Sequence, residues 1–252
     1  MIRSRIIDIV LGVAGLAALL LLWHFVTALE LISRVFLPGP AATIAALEWG
    51  LVNGDLLPQT IATINRMVQG WLLASLVAIA VGSLIGVSAI ARAYIQPTLE
   101  FLRPLPASAI IPVAISIFGL NTSMVLGVVV FGAVWPTLLG TIHGFAHVEP
   151  RLVEVSRLLQ MSRWEFIYKI GLPNAVPDIL AGMRLSLTVA LILAVVGELL
   201  TAQEGLGTAV LHAARSYRAA DLYAGIILLG MIGLVSNYGL AIADKRILAW
   251  KS

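Results

Sequence analysis

The sequence predicts an all-α, polytopic membrane protein, and three observations carry that prediction. The chain is 60% hydrophobic. Only 12% of it is charged, where ordinary soluble domains carry about 25%, and so few charges cannot cover a soluble fold of 252 residues. Its apolar stretches are long enough to cross a bilayer, which takes roughly 20 residues per helix. A transmembrane β-barrel would show short alternating segments instead.

Six membrane-crossing helices are expected, near Ile6–Leu29, Ile61–Ala91, Leu99–Gly119, Thr122–Gly144, Pro177–Thr201 and Leu222–Asp244. The whole chain, 1–252, reads as one transmembrane domain: an extra N-terminal helix at about 6–29, core helices over about 61–244, and a polar segment at about 149–165. Arg3 and Arg5 precede the first apolar run, Ile6 to Phe25. That run exceeds the usual signal-peptide h-region of about 7–15 residues, so an uncleaved helix is expected. The following stretch, Leu31–Gln59, holds Pro38-Gly-Pro40 and Asn53-Gly-Asp55, which are turn signals. Gly82 and Gly86, four apart in the second helix, mark close helix packing.

The third helix is interrupted by Arg103-Pro-Leu-Pro106 and Ile111-Pro112. Proline breaks the helical ladder, and the freed carbonyls need neighbours or water. A packing kink and a flexing, pore-lining helix both fit. Ser108 and Ser116 place polar atoms beside the breaks and favour the second, so Arg103, Pro104, Ser108 and Ser116 are candidate pore or gating residues. His143 and His147 are four apart, but no third ligand stands ready to complete a metal site. Glu198 lies in an apolar run near the outer end of the fifth helix. A carboxylate buried there is costly and is paired or functional, so Glu198 joins the pore or gating candidates, with a structural or gating role favoured over specificity.

The polar segment runs from Glu149 to Pro173. Pro150 suits the first turn of a helix, where its missing N–H costs nothing. Leu152, Val155 and Leu159 are expected on one face, with Arg151, Glu154 and Arg157 on another. Ser162-Arg-Trp-Glu165 has the spacing of a capping box, so a second short helix is expected to begin there. Amphipathicity does not name its partner. A helix on the membrane surface and a helix in another protein's groove show the same pattern.

Charge sets the topology. Arg92, Arg151, Arg157, Arg163, Lys169, Lys245, Arg246 and Lys251 fall with Arg3 and Arg5 on one side of a six-helix arrangement; Arg34, Arg66, Arg215 and Arg218 fall on the other. The positive-inside rule then puts both termini and the polar segment in the cytoplasm. The sequence pI of about 9.5 reflects these helix-end charges and no basic face, so nucleic acid is not an expected partner. There is no cysteine, which excludes thiolate metal sites. No phosphate-binding Gly-rich loop ending in Lys-Ser/Thr occurs, and no catalytic residues converge, so no cofactor is expected in this chain. An ion-coupled secondary carrier is the alternative, and it would carry polar residues in the middle of several helices.

Glu154-Val-Ser, then Gln160, then Ile170-Gly-Leu-Pro173 has the spacing of a loop signature: Glu-Ala-Ala, three residues, Gly, nine residues, Ile-x-Leu-Pro. On that string the chain resembles the permeases of type I, binding-protein-dependent ABC importers, in the sulfonate, taurine and nitrate group. The resemblance extends through Thr63-Ile-Asn-Arg66, Arg103-Pro-Leu-Pro106, Gly182-Met-Arg184, Gly197-Glu198, Glu204-Gly-Leu-Gly207 and the Lys245-Arg246 to Trp250 tail. It implies a permease subunit in a bacterial inner membrane that moves a small polar or anionic solute inward by alternating access. The implied partners are a second, identical permease, two cytoplasmic ATP-binding subunits that hold ATP and Mg, and an extracytoplasmic solute-binding protein. It also implies that Glu154, Arg157, Leu158, Gln160, Met161 and Ser162 form the contact with the ATPase. Val155, Ser156 and Gln160 depart from the signature's two alanines and glycine. Gln resists backbone geometry that Gly permits, so either the turn differs or the ATPase surface compensates.

Overall fold

The computed structural model describes residues 2–249, with side chains from residue 10 onward. The side chains of Arg3 and Arg5, and residues Trp250 and Lys251, lie outside this description. The helices are α1 (Ile2–Ala28), α2 (Pro40–Val52), α3 (Leu56–Val87), α4 (Ala89–Leu102), α5 (Ile111–Phe118) and α6 (Thr122–Ala146). They continue with α7 (Pro150–Leu158), α8 (Arg163–Phe166), α9 (Leu172–Thr201), α10 (Leu206–Arg215) and α11 (Ala219–Ile247). A 3₁₀ turn, Ala107–Ile110, precedes α5, and a π turn, Ile167–Gly171, joins α8 to α9.

Five helices among the described residues are long and apolar enough to cross a membrane, and α4 with α5 forms a sixth span bent by 82°. Packing shows that this bent pair must return across the full height of the bundle. Gly70 faces Val129, Gly82 faces Thr141 and Gly86 faces Phe145, so the partner numbers climb together and α3 and α6 run parallel. Two parallel neighbours require a return passage between them, and residues 88–121 supply it.

By the same reading α9 is antiparallel to α6, since Gly132 faces Leu193 and Gly144 faces Ala175. These helices pack closely enough that a Cβ on Gly140 or Gly182 would lie 2.6 Å from the carbonyl oxygen of Asp178 or Pro136. Helix α11 returns along α9, with Gly233 against Leu191 and Arg184 paired with Asp244. The core sits between α3, α6 and α9, around Met67, Ala74, Val125, Val129, Ala133, Ala190 and Ala194. Helix α1 is peripheral. It is held at one end, where Trp23 donates to the Pro38 carbonyl at 2.9 Å and stacks on Tyr223 of α11.

The molecule therefore has two ends. The start of α1, the α3–α4 junction, α7, α8 and the end of α11 share one; α2, the α5–α6 turn and α10 share the other.

Several boundaries differ from expectation for identifiable reasons. The second helix stops at Val87 because Ser88 caps a new one, its Oγ accepting from the Ala91 N–H at 3.2 Å. The third span is a break rather than a single kinked helix, because Pro104 and Pro106 remove two N–H groups within three residues. The fifth begins before Pro177. Pro173 occupies the first turn of α9, and the π turn lets the Leu172 N–H reach the Ile167 carbonyl, so the prolines are absorbed within a helix. Helices α2 and α10 lie in segments where only turns are expected from sequence.

Candidate functional site

At the polar-segment end, α7 opens as expected, with Pro150 in its first turn. The face turned to the body carries Ser156, buried, and Val153, half-buried. Leu152 and Val155 are 40% and 45% exposed, and Leu159 is 66% exposed. Leu158 is 83% exposed. Glu154, Arg157, Gln160 and Ser162 are exposed beside them, and Met161 is half-buried. Most of the predicted residues thus lie on exposed surface, where the described residues leave Leu158 and Leu159 largely uncovered and Leu152 and Val155 partly so. Burying one leucine stabilises by about 1.5–3 kcal/mol, so this surface has apolar area to offer a partner.

Gln160 shows how α7 ends. Its φ is +49°, in the left-handed region. The Met161 N–H donates to the Ser156 carbonyl and the Gln160 N–H to the Arg157 carbonyl, both at 3.0 Å. These two bonds make a Schellman C-cap, the geometry that normally calls for glycine. Gln160 therefore adopts a left-handed backbone of the kind that glycine favours.

Ser162 then starts α8 through a full capping box. Its Oγ accepts from the Glu165 N–H at 3.2 Å, and its own N–H donates to Glu165 Oε2 at 3.0 Å. Lys169 Nζ adds an ion pair with Glu165 Oε1 at 3.2 Å. From Arg163 to Thr201 the chain is one continuous helical rod of 39 residues.

At the opposite end lies a closed polar knot. Glu198 and Thr63 have no exposed surface and Arg66 is 8% exposed. Glu198 Oε1 pairs with Arg66 Nη1. Glu198 Oε2 accepts from Thr63 Oγ1 and from the Gly207 N–H, each at 2.9 Å. Arg66 Nη2 donates to the Glu204 carbonyl at 3.0 Å, and the Leu206 N–H donates to Thr63 Oγ1 at 2.9 Å. The knot ties α3, α9 and the α9–α10 turn together. A Cβ on Gly205 would strike the Glu198 carboxylate, so glycine there is a matter of space. Sequence reasoning does not name Thr63 and Arg66 as partners of Glu198. Their three-residue spacing on one helix face is the available signal.

The remaining candidates do not converge with Glu198. Arg103, Pro104 and Ser108 are exposed at the break between α4 and α5. Ser116 is exposed on α5, its Oγ donating to the Pro112 carbonyl at 3.0 Å. His143 and His147 stack at 4.0 Å, and no group of three metal-ligating side chains occurs among the described residues.

Comparison with known proteins agrees with this architecture. The chain belongs to the family of binding-protein-dependent transport system inner membrane components, whose model matches residues 70–249. It is 29% identical over 236 residues to a protein of Bacillus subtilis (strain 168) named for aliphatic sulfonates transport, the permease SsuC, covering 94% of this chain and 86% of that one. It is 27% identical to the bicarbonate transport system permease protein CmpB of Synechococcus elongatus, covering 98% of this chain and 92% of that one. A solved inward-facing structure of the MetNI methionine ABC transporter shares the fold, with a TM-score of 0.66 at 17% identity, covering 78% of this chain and 96% of that one. The protein is thus a multi-pass inner-membrane permease subunit of an ABC importer. It is not an enzyme, and the ion-coupled carrier reading is set aside.

Proposed function

We propose that the chain, paired with a second copy, forms the pore of an importer for a small anionic solute such as a sulfonate or bicarbonate. An extracytoplasmic binding protein delivers the solute, and two cytoplasmic ATP-binding subunits dock on 149–165. ATP and Mg belong to those subunits. The observation that carries the reading is the exposed apolar row Leu152, Val155, Leu158 and Leu159 beside Glu154, on a helix that a tight turn joins to the helical stretch Arg163–Thr201. Lysine and arginine excess at that end supports a cytoplasmic position for it and for both termini. Closure of the ATP-binding subunits pushes α7, and the rod Arg163–Thr201 carries that push into the α3–α6–α9 core, opening the pore outward. The names of the two relatives support an anionic solute.

The test is Leu158→Asp, with Glu154→Ala beside it. Both variants should insert normally, while ATP-driven uptake falls at least about tenfold, as expected when roughly 1.4 kcal/mol of docking is lost. Uptake is measured as accumulation of a labelled sulfonate or bicarbonate in cells carrying the complete transporter. Normal uptake in both variants would overturn the docking role.

A further inference from the structure

Of four arginines along α3, α4 and α9, three have a partner within the chain. Arg66 pairs with Glu198, Arg184 pairs with Asp244, and Arg92 donates to the Gly86 carbonyl. Arg103, at the C-terminal end of α4, is exposed and has no partner among the described residues. Its depth follows from its neighbours. Leu99 packs against the cluster of Ala78, Leu138 and Ile142, and Ala107 lies against Gly132. Arg103 falls between these contacts, at the height of residues 132–138 of α6, the middle of a helix running from Thr122 to Ala146.

Arg103 is not alone on its face. Gln96, Glu100 and Arg103 recur at helical spacing and are all exposed, a polar stripe on a helix at membrane depth. Gln96 Nε2 donates to Glu100 Oε1 at 2.8 Å, and among the described residues no ion pair joins Glu100 to Arg103, so the guanidinium is left open. Just beyond, Pro104 has no N–H for the Glu100 carbonyl, and Ser108 is exposed past the break. Charged groups at this depth face water or a partner, and an arginine fork is suited to planar or tetrahedral oxyanions.

We propose that the Gln96–Glu100–Arg103 stripe lines the aqueous translocation path and that Arg103 is its mid-membrane contact for an oxyanion, a sulfonate or carboxylate-like group. This rests on the importer reading above and adds the residue that meets the solute's charge. The test exploits a chain without cysteine. Ser108→Cys gives one reporter thiol per permease chain in the assembled transporter in membrane vesicles, with the unsubstituted transporter as the background control. Its modification rates are compared for an anionic reagent, 2-sulfonatoethyl methanethiosulfonate, and for its cationic trimethylammonium counterpart. The thiol should react, and the anion-to-cation rate ratio should fall about tenfold in Arg103→Gln, while Arg103→Lys keeps it within about twofold, since a point charge survives there. An unchanged ratio in Arg103→Gln overturns the proposal. So does failure of this thiol and of a second reporter, Gln96→Cys, to react in every nucleotide state, which is the outcome if lipid or a second copy seals the stripe. Retention of the ATP-binding subunits by the same variants reads the importer assignment separately, so intact assembly with an unchanged ratio sinks the oxyanion contact alone.

Discussion

The two ends of the bundle use polar residues in opposite ways. At one end Glu198 is wholly buried, both carboxylate oxygens are engaged, and its partners come from α3 and the start of α10. At the other, α7 leaves leucines and charges standing in the open. A buried charge with every partner in place fixes a local structure, and losing one partner is expensive. An exposed apolar row gains nothing within its own chain. The first is a clamp on the α9–α10 turn, and the second is a surface waiting for a neighbour. In this conformation a carboxylate with no exposed atom cannot touch a solute, so Glu198 acts as a brace.

The contrast predicts where substitutions should hurt stability and where they should hurt transport alone. The largest effect on stability is expected for Glu198→Leu, which strands the Arg66 guanidinium in a buried site. The loss should be about 3–5 kcal/mol, read as a fall in Tm of the detergent-purified protein. Leu158→Asp should abolish most uptake and leave that Tm in place, because an exposed substitution outside any buried network stays within about 0.5 kcal/mol. If it destabilised as Glu198→Leu does, the division between brace and docking surface would fail. Smaller is the expected cost of Ser162→Ala, about 1 kcal/mol at the start of α8, seen as faster amide exchange around residues 162–166. Smallest is a gain: Gln160→Gly relieves a left-handed side-chain residue at some cost in unfolded-chain entropy and should stabilise the α7–α8 turn by roughly 0.5 kcal/mol. A destabilising Gln160→Gly would mean that the glutamine side chain makes contacts that outweigh its strained backbone.

Much of this is legible in the amino-acid sequence. The helix count, the capping box at Ser162 and the cost of burying Glu198 all follow from local chemistry and hydropathy. Three things are not legible there, each for a physical reason. The face of α7 that turns inward carries Ser156 and not a leucine, a choice made by tertiary packing that local periodicity does not encode. The side-chain partners of Glu198 lie about 135 residues away on α3, and its backbone partner Gly207 lies in the next helix, beyond any local periodicity. The depth of Arg103 depends on how sharply the chain bends at Pro104 and Pro106, and prolines announce a break without giving its angle.

Crosslinking from the exposed helix tests the docking claim most directly. Leu158→Cys in the complete transporter should join to an ATP-binding subunit through a short thiol-reactive crosslinker. Tyr217→Cys, 73% exposed at the other end of the bundle, should not. A link to that subunit from position 217 but none from position 158, with ATP-driven uptake intact, would contradict the arrangement.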